Sequence, residues 1–294
     1  MDDNDWLNRQ FDANRPHLRS VAYKMLGSLS EADDAVQETW IRLSRTDTAE
    51  IENLGGWLTT VTARVCLNML RSRESRREES LSVHVPDPIV SNERGLDPED
   101  QALLADSVGL ALLVVLETLT PAERLSFVLH DMFAMPFEDI APIVDRSPAA
   151  ARQLASRARR RVQGSAPVPD TDLSRQREVV DAFLAAARSG DFEALLEVLD
   201  PDIVLRADSG AAMVAASREL RGAAEVAKQA LAFRRFAAGS RVALVNGAIG
   251  VVNLQDGKPF AVMGITVAGG KIVELDILAD PERLSRLDLA VLDT

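Results

Sequence analysis

The amino-acid sequence predicts a multidomain protein in which two all-helical units precede one α+β unit. Its 294 residues exceed the usual size of a single domain. Apolar side chains recur at helical spacing through residues 1–77 and 101–163, whereas short strand-like runs between glycine turns dominate the last third. Two segments rich in proline and polar residues, 78–100 and 164–172, separate the three parts.

The first unit should contain three helices. Residues 11–26 keep a helical apolar period, and Ser30 is the expected N-cap of an amphipathic helix over residues 31–43. A glycine pair at positions 55 and 56 should break the chain before a third helix over residues 57–73. This pattern predicts a small helical bundle.

The second unit should end in a helix-turn-helix. A helix is expected over residues 101–119, and Thr120 with Glu123 forms a capping-box signature for the next one. Ser147 should cap the last helix, which begins at Pro148 because proline fits the first helical position. A short helix and a tight turn precede it, and the second helix of such a motif lies in the DNA major groove.

The last helix of this unit has a face suited to reading bases. Arg152, Gln153, Ser156 and Arg157 lie on neighbouring positions of one side. Arginine pairs bidentately with guanine and glutamine with adenine, so Arg152, Gln153 and Arg157 are the expected base-reading residues. Contacts with phosphates are expected from Arg159 and Arg160.

Charge is distributed unevenly along the chain. The formal net charge is −12, from 33 basic and 45 acidic residues. Residues 57–77 nevertheless hold five arginines and one glutamate, and residues 145–164 hold six arginines and one aspartate. DNA contact should be confined to these two basic segments, and the acidic remainder should lower nonspecific affinity, which implies that a partner protein holds the chain on DNA.

The last part of the chain predicts an α+β domain shaped like a cone. Helices are expected over residues 175–189 and 222–236, and residues 203–207 alternate like a strand. Further strand-like runs, separated by Asp256-Gly257 and Gly269-Gly270 hairpin turns, should form an antiparallel meander at residues 242–245, 248–254, 259–267 and 272–279.

The helical half resembles a bacterial RNA polymerase sigma factor of the extracytoplasmic function (ECF) type over residues 8–163. The matching segments are Asp33–Trp40, Gly56–Leu58, Leu67–Arg71 and Leu119–Arg159. The resemblance implies two all-α sigma domains, and the remaining residues resemble the SnoaL-like, NTF2-like cone that one ECF subgroup carries. The expected boundaries are 1–80 for sigma region 2, 81–105 for a linker, 106–164 for sigma region 4, 165–174 for a second linker and 175–294 for the SnoaL-like regulatory domain.

The resemblance also implies which surfaces meet the transcription machinery. Core RNA polymerase should be bound by one exposed face of the second helix, at Asp34, Gln37, Glu38 and Ile41. The −10 promoter element should be contacted by the third helix, at Trp57, Thr60, Arg64, Asn68 and Arg71, since aromatic and arginine side chains stack on unpaired bases. The −35 element should be read by Arg152, Gln153, Ser156, Arg157, Arg159 and Arg160. For Trp57, a core position is an equally weighted alternative.

Three motifs of the SnoaL-bearing subgroup have counterparts here. Asp208-Ser209-Gly210 stands for its aspartate and glycine run, Ala279–Leu284 for its Asn-Pro-Asp-Lys-Leu motif, and Val85–Pro88 for its linker motif without the Trp-Leu pair. In that subgroup the C-terminal domain controls activity. By resemblance, Asp208, Asp280 and Pro281 should make an intramolecular regulatory contact with the sigma domains or their linker.

A self-regulated sigma factor has two alternatives, a one-component transcription regulator and an enzyme. A one-component helix-turn-helix regulator could sense a small ligand in the C-terminal pocket, but it would need neither the acidic helix nor the Trp57 helix. An enzyme has little support, because His17, His84 and His130 all lie outside the C-terminal domain, leaving Asp208 and Asp276 without a neighbouring histidine. We expect no cofactor or metal, no membrane association and a cytoplasmic location, because ligand spacing, a phosphate-binding loop, a signal peptide and a membrane span are all missing from the sequence.

Overall fold

The computed structural model describes residues 3–47, 51–77, 83–91, 109–210, 213, 216–234 and 239–289. These residues form two compact units. The first comprises the described parts of residues 1–80 and 115–165, and the second those of residues 81–97, 107–114 and 166–294. Among the described residues, no helix combines the length and the apolar character needed to cross a membrane.

The first unit begins with three packed helices. They are α1 (Asp3–Leu26), α2 (Leu29–Leu43) and α3 (Leu54–Arg77). Apolar side chains from all three meet in a core formed by Phe11, Leu18, Val36, Leu43 and Leu58. The rings of Phe11 and Trp40 lie 5.0 Å apart at the edge of this core.

Two helix starts in this bundle differ from the prediction. The N-cap of α2 is Ser28 and not Ser30, because Gly27 adopts a positive φ and turns the chain within two residues. The glycine pair does not break the chain: Asn53 Oδ1 accepts a hydrogen bond from the Gly56 backbone N–H at 3.0 Å. The cap therefore places both glycines in the first turn of α3, where a chain break was expected.

The helix-turn-helix forms the end of the first unit. After α4 (Leu110–Glu117) the elements are α5 (Pro121–Phe127), a π-helical turn (Val128–Met132), α6 (Phe137–Val144) and α7 (Pro148–Ser165). The capping box of Thr120 and Glu123 is confirmed, as is the start of α7 at Pro148. Asp145 ends α6 with a left-handed backbone, which gives the tight turn. The predicted residues 101–108 of the preceding helix lie outside the described residues.

A buried arginine joins the front and rear helices of the first unit. Arg124 in α5 is 2% exposed, donates to Glu117 Oε1 at 2.7 Å and donates to the Lys24 carbonyl in α1 at 3.3 Å. A buried charge of this kind is tolerated only when paired, so Arg124 and Glu117 depend on each other.

We expect Arg124→Ala to lower the free energy of unfolding of this unit by about 3–5 kcal/mol, because the buried Glu117 carboxylate loses its ion pair with Arg124. All three tryptophans of the chain lie in this unit, so their fluorescence during urea denaturation measures its stability. Arg146→Ala is the matched control, since Arg146 is exposed and donates to the carbonyl of the neighbouring Asp145. A loss below about 0.5 kcal/mol for Arg124→Ala would contradict the assignment.

The second unit is an α+β domain built on one mixed sheet. Its helices are α8 (Leu173–Ser189), α9 (Phe192–Val198), α10 (Ala223–Ala232) and α11 (Pro281–Leu284). Its strands are β1 (Val90–Ser91), β2 (Leu199–Asp208), β3 (Arg218–Arg221), β4 (Ser240–Val245), β5 (Ala248–Gln255), β6 (Lys258–Ala268) and β7 (Lys271–Leu278). Among the described residues the strand order is β1-β4-β5-β6-β7-β2-β3.

The sheet confirms the predicted meander and adds to it. Strands β4 to β7 pair antiparallel in sequence order, with positive φ at both residues of the Asp256-Gly257 and Gly269-Gly270 turns. Strand β2 instead pairs parallel to β7, which period-two alternation in the sequence does not reveal. Apolar side chains of β2, β5, β6 and β7 pack against α8 and α10 to form the core of this cone.

The segment expected to be an unstructured linker supplies the first strand of this sheet. Val90 and Ser91 pair with Val245 and Leu244 of β4. Next to this pair, the Ile89 N–H donates to Asn246 Oδ1 at 3.0 Å, and the Asn246 N–H donates to the Ile89 carbonyl at 2.8 Å. Backbone pairing needs no side-chain period, so the proline-rich composition concealed this strand.

Candidate functional site

Helix α7 presents arginine and glutamine side chains on one face. Its opposite face is made of Ala151, Ala155 and Ala158, which are buried and allow close packing against neighbouring helices. Arg152 and Gln153 are exposed near the start of the helix. The Arg152 guanidinium lies 5.2 Å from the centre of the Phe137 ring in α6, so a cation–π contact orients it.

Arg157, the third expected base reader, has a partner inside the protein. Its Nε donates to Glu123 Oε1 at 3.0 Å, and Arg161 lies 3.4 Å from the other oxygen of this carboxylate. Burial acts to raise the pKa of Glu123, but hydrogen bonds from Thr120 and the two arginines lower it on balance. Glu123 therefore stays ionised and anchors the middle of α7, leaving the Arg157 side chain 53% exposed.

The other polar residues of α7 differ in their surroundings. Arg159 is tied to Asp131, with its Nε 2.8 Å from Oδ1. Arg160 is exposed and reaches back to the carbonyl of Ser156 at 3.4 Å, while Ser156 itself is half-buried. Arg152 and Gln153 are thus the expected readers whose polar groups are most available to an outside ligand.

The expected polymerase-binding residues share the outer side of α2. Asp34 and Gln37 are exposed, and Ile41 is an exposed large apolar residue. Glu38 is half-buried and bonds Arg42 one turn later at 2.8 Å. An apolar side chain beside acidic and amide groups is suited to a protein partner that has basic residues around an apolar pocket.

The expected −10 residues form a partly exposed stripe along α3. Arg64, Asn68 and Arg71 are exposed, and Thr60 is half-buried. Trp57 is also half-buried and packs against the core of the helical bundle, so both readings of this residue retain support: one part of its ring is in the core and another reaches solvent. The stripe offers donors and stacking groups to unpaired bases.

An arginine near the C-terminus binds the segment that precedes β1. Arg283 Nε donates to Asp87 Oδ1 at 2.6 Å, and its Nη2 donates to the Val85 carbonyl at 2.6 Å. Its Nη1 donates to Asp208 Oδ2 at 2.8 Å. We call these residues, together with His84, the linker clasp. The expected regulatory residues did not include Arg283, although its place in the Ala279–Leu284 motif could have indicated it.

Asp208 is the acidic centre of the linker clasp. It is 4% exposed and accepts hydrogen bonds from the backbone N–H groups of Val85 and Gly210 at 3.1 and 3.0 Å. Burial acts to raise its pKa, but the bonds from His84, Val85 and Gly210 and the charge of Arg283 lower the pKa of Asp208 to about 2. The carboxylate is thus ionised throughout the physiological range.

One expectation about histidine needs correction. His84 was placed outside the C-terminal domain, yet its Nδ1 lies 3.4 Å from Asp208 Oδ2, because residues 83–91 belong to the same compact unit. Asp208 and Asp276, the acidic residues of the disfavoured enzyme alternative, are not among the described residues around the cavity of the cone. The alternation of β7 places Leu275 and Ile277 on the cavity side and Asp276 on the other.

The remaining expected regulatory residues, Asp280 and Pro281, hold the short helix that carries Arg283. Asp280 caps α11 by accepting from the N–H groups of Glu282 and Arg283, and its side chain lies against Gly210, where no Cβ would fit. Pro281 occupies the first turn of α11 and lines the cavity. Together they fix the position from which Arg283 reaches the linker segment.

A buried charge cluster lies on the face of the sheet that points away from the cavity. Arg206 bonds Asp276 at 3.0 Å and Glu274 at 3.2 Å, and Glu219 lies 3.7 Å away on β3. Burial, together with the charges of Glu274 and Glu219, outweighs Arg206 and raises the pKa of Asp276 to about 7. Three carboxylates therefore share one central guanidinium.

The raised pKa of Asp276 predicts a pH dependence of stability. Between about pH 4 and pH 7 the folded protein holds a proton that the unfolded chain has released, so the free energy of unfolding should fall as pH rises through this window. Thermal unfolding followed by circular dichroism from pH 4.5 to pH 8 tests this. Asp276→Asn should flatten the slope, and Asp181→Asn, at an exposed position on α8, should not; equal slopes in all three proteins would contradict the assignment.

Comparisons with known proteins give consistent matches over most of the chain. The family model of sigma-70 region 2 matches residues 10–76, and that of sigma-70 region 4 matches residues 109–162. The ECF RNA polymerase sigma factor SigJ of Mycobacterium tuberculosis is 37% identical over 289 residues, covering 94% of this chain and 92% of SigJ. The probable ECF RNA polymerase sigma factor SigI of that species is 34% identical over 98% of both chains. The crystal structure of M. tuberculosis SigJ matches with a TM-score of 0.77 at 36% identity, covering 96% of this chain and 99% of that one.

Proposed function

The chain belongs to the ECF RNA polymerase sigma factors, and from this premise we propose how its two units divide the work of initiation and its control. As a sigma factor it directs promoter-specific transcription initiation, and its C-terminal unit has an NTF2-like fold. The one-component regulator is not favoured, because the region 2 match and the near full-length relatives are those of sigma factors.

In this proposal the helical unit makes the contacts with polymerase and promoter. The outer face of α2, with Asp34, Gln37, Glu38 and Ile41, binds core RNA polymerase. The α3 stripe of Trp57, Thr60, Arg64, Asn68 and Arg71 contacts the −10 element. Helix α7 reads the −35 element through Arg152, Gln153, Ser156 and Arg157, with Arg159 and Arg160 on phosphates. The exposure of Arg152 and Gln153 on a helix-turn-helix is the observation that supports base reading most directly.

The C-terminal unit, we propose, controls the activity of the sigma domains through the linker that joins them. The linker clasp supports this, because Arg283 and Asp208 hold Val85 and Asp87 by charge-assisted bonds. When this segment is fixed, the sigma domains on either side of it can adopt fewer arrangements. Control would then operate by forming or releasing the clasp, in the cytoplasm where polymerase and DNA are found.

We also propose that the C-terminal unit binds a small molecule and is not catalytic. The described residues around its cavity include no aspartate, glutamate, histidine or lysine, so they offer no general acid or base. In this proposal the partners are core RNA polymerase, promoter DNA, the chain's own linker and a small-molecule ligand, and no cofactor is needed.

One experiment tests polymerase binding and tail control together. The full chain and the fragment 1–165 are each mixed with sigma-free core RNA polymerase, and co-elution and run-off transcription are measured on the promoter of the protein's own gene. The proposal expects both proteins to co-elute and their transcription to differ by at least threefold. Failure of both to bind would contradict the polymerase contact. Equal transcription over a range of concentrations would contradict control by the C-terminal unit.

A further inference from the structure

The cone of the C-terminal unit encloses a cavity of about 520 Å³, within the size range of small-molecule sites. Its inner wall is apolar and includes Leu184, Leu205 and Met263. Met213 and Phe233 line it as well and are 54% and 44% exposed, so large apolar side chains lie where the cavity meets solvent. Such side chains are costly to leave in water and adapt readily to an apolar guest.

Polar residues are a minority of the described lining of the cavity: Ser209, Arg218, Gln229, Ser240, Asn253 and Gln255. Arg218 on β3 is the sole charged residue among the described lining residues, and its Nη1 donates to Gln229 Oε1 of α10 at 3.3 Å. A neutral pair lies on β4 and β5, where Ser240 Oγ donates to Asn253 Oδ1 at 2.7 Å. The cavity thus offers one positive charge, already oriented by an amide, beside a long apolar surface.

From this arrangement we infer that the cavity binds an amphiphilic carboxylate: an apolar chain or ring system that fills the cone, with one anionic head paired with Arg218. A carboxylate matches the two-pronged guanidinium, and Gln229 can donate its amide N–H groups to the same head. A cationic head would face Arg218 with like charge, and a neutral head would leave the guanidinium without an ionic partner.

A ligand in this position would touch the loops that hold the linker clasp. Ser209, Ala279 and Pro281 line the cavity, and their chain neighbours Asp208 and Asp280 belong to the clasp or support it. The regulatory consequence rests on the proposed function: an occupied cavity would shift the stability of the clasp, and the clasp would shift ligand affinity by the same factor. The binding site itself does not depend on that role.

Isothermal titration calorimetry on the full-length protein tests the site with three probes of equal chain length: octanoate, octanol and octyltrimethylammonium. We expect one octanoate per chain, at least tenfold weaker binding of octanol and no saturable binding of the cation. Arg218→Gln should bring the affinities of octanoate and octanol within threefold of each other. Arg221→Gln removes an exposed arginine from the same strand outside the cavity lining, and it should keep the wild-type preference.

A second variant tests the same cavity in case Arg218→Gln fails to fold. Ala230→Phe, on the cavity side of α10, should remove binding of octanoate and octanol alike while circular dichroism stays unchanged. Equal wild-type affinities for octanoate and octanol, an unaltered preference in Arg218→Gln, or no saturable binding of any probe would each overturn the assignment. Selective octanoate binding with equal transcription from the full chain and fragment 1–165 would keep the site and reject tail control. A lack of selective octanoate binding, together with transcription that differs between the full chain and fragment 1–165, would reject the site and keep tail control.

Discussion

Replacing Arg152 and Arg157 by alanine is expected to abolish promoter-dependent transcription while core polymerase binding persists. Each bidentate arginine–guanine pair contributes about 1–3 kcal/mol, so losing two should weaken promoter binding by about 30-fold to more than 10⁴-fold. The two side chains lie on the exposed face of α7, whereas the expected polymerase surface is on another helix, α2. Run-off transcription measures the first effect and co-elution with core polymerase the second.

The structure separates the contributions of these two arginines. Arg152 is exposed and contacts the ring of Phe137, so Arg152→Ala should act mainly on DNA reading. Arg157 also neutralises the buried Glu123, so Arg157→Ala should in addition lower the stability of the helix-turn-helix. Arg177→Ala with Arg188→Ala removes the same charge from α8, where Arg177 is half-buried and Arg188 is exposed, and is the matched control. Wild-type transcription from the Arg152/Arg157 variant would refute the reading face.

Arg283→Ala is expected to release the linker segment from the C-terminal unit. The change leaves the buried carboxylates of Asp87 and Asp208 without their shared cation, and breaking such a pair costs about 3–5 kcal/mol. Exchange of the Val85 backbone N–H, measured by hydrogen–deuterium exchange, should accelerate by at least 100-fold because its bond to Asp208 then opens readily. Run-off transcription should change in the same direction as it does for the fragment 1–165.

Arg286→Ala is the matched control for this prediction. Arg286 lies three residues further on, and its side chain pairs with the exposed Glu282. Arg286→Ala should therefore leave both exchange and transcription unchanged. If Arg283→Ala accelerates exchange but transcription remains at the wild-type level, the clasp exists without a regulatory role. If the exchange rate is also unchanged, the ion pairs do not hold the linker segment.

Much of the helical half could be predicted from local signals. The capping box at Thr120 and the Ser147-Pro148 start are set by hydrogen bonds between residues three apart, so the sequence specifies them without tertiary information. The exposed face of α7 follows from helical periodicity alone. The expected start of α2 at Ser30 was wrong for a related reason: Ser28 and Ser30 are both good caps, and only the turn at Gly27 decides between them.

The partners of charged side chains could not be predicted in the same way. The sequence does not reveal the partners of Arg124, Arg157 and Arg206, because each meets a carboxylate that lies at least seven residues away. Burial raises the pKa of Asp276 to about 7, whereas hydrogen bonds and the charge of Arg283 lower the pKa of Asp208 to about 2, although the two residues are chemically identical in the sequence. Desolvation and ion pairing depend on three-dimensional neighbours.

The sequence by itself determined the helices of the first unit, its helix-turn-helix and the α+β class of the tail, because each depends on periodicity, capping or a local motif. Only the tertiary structure decided that residues 83–91 join the C-terminal unit and that Arg283 holds them. It also decided that Asp208 sits beside His84 and that Arg218 faces an apolar cavity. The physical reason is sequence distance: Asp87 and Arg283 are 196 residues apart. No local spacing rule relates two charges that meet only in the folded unit.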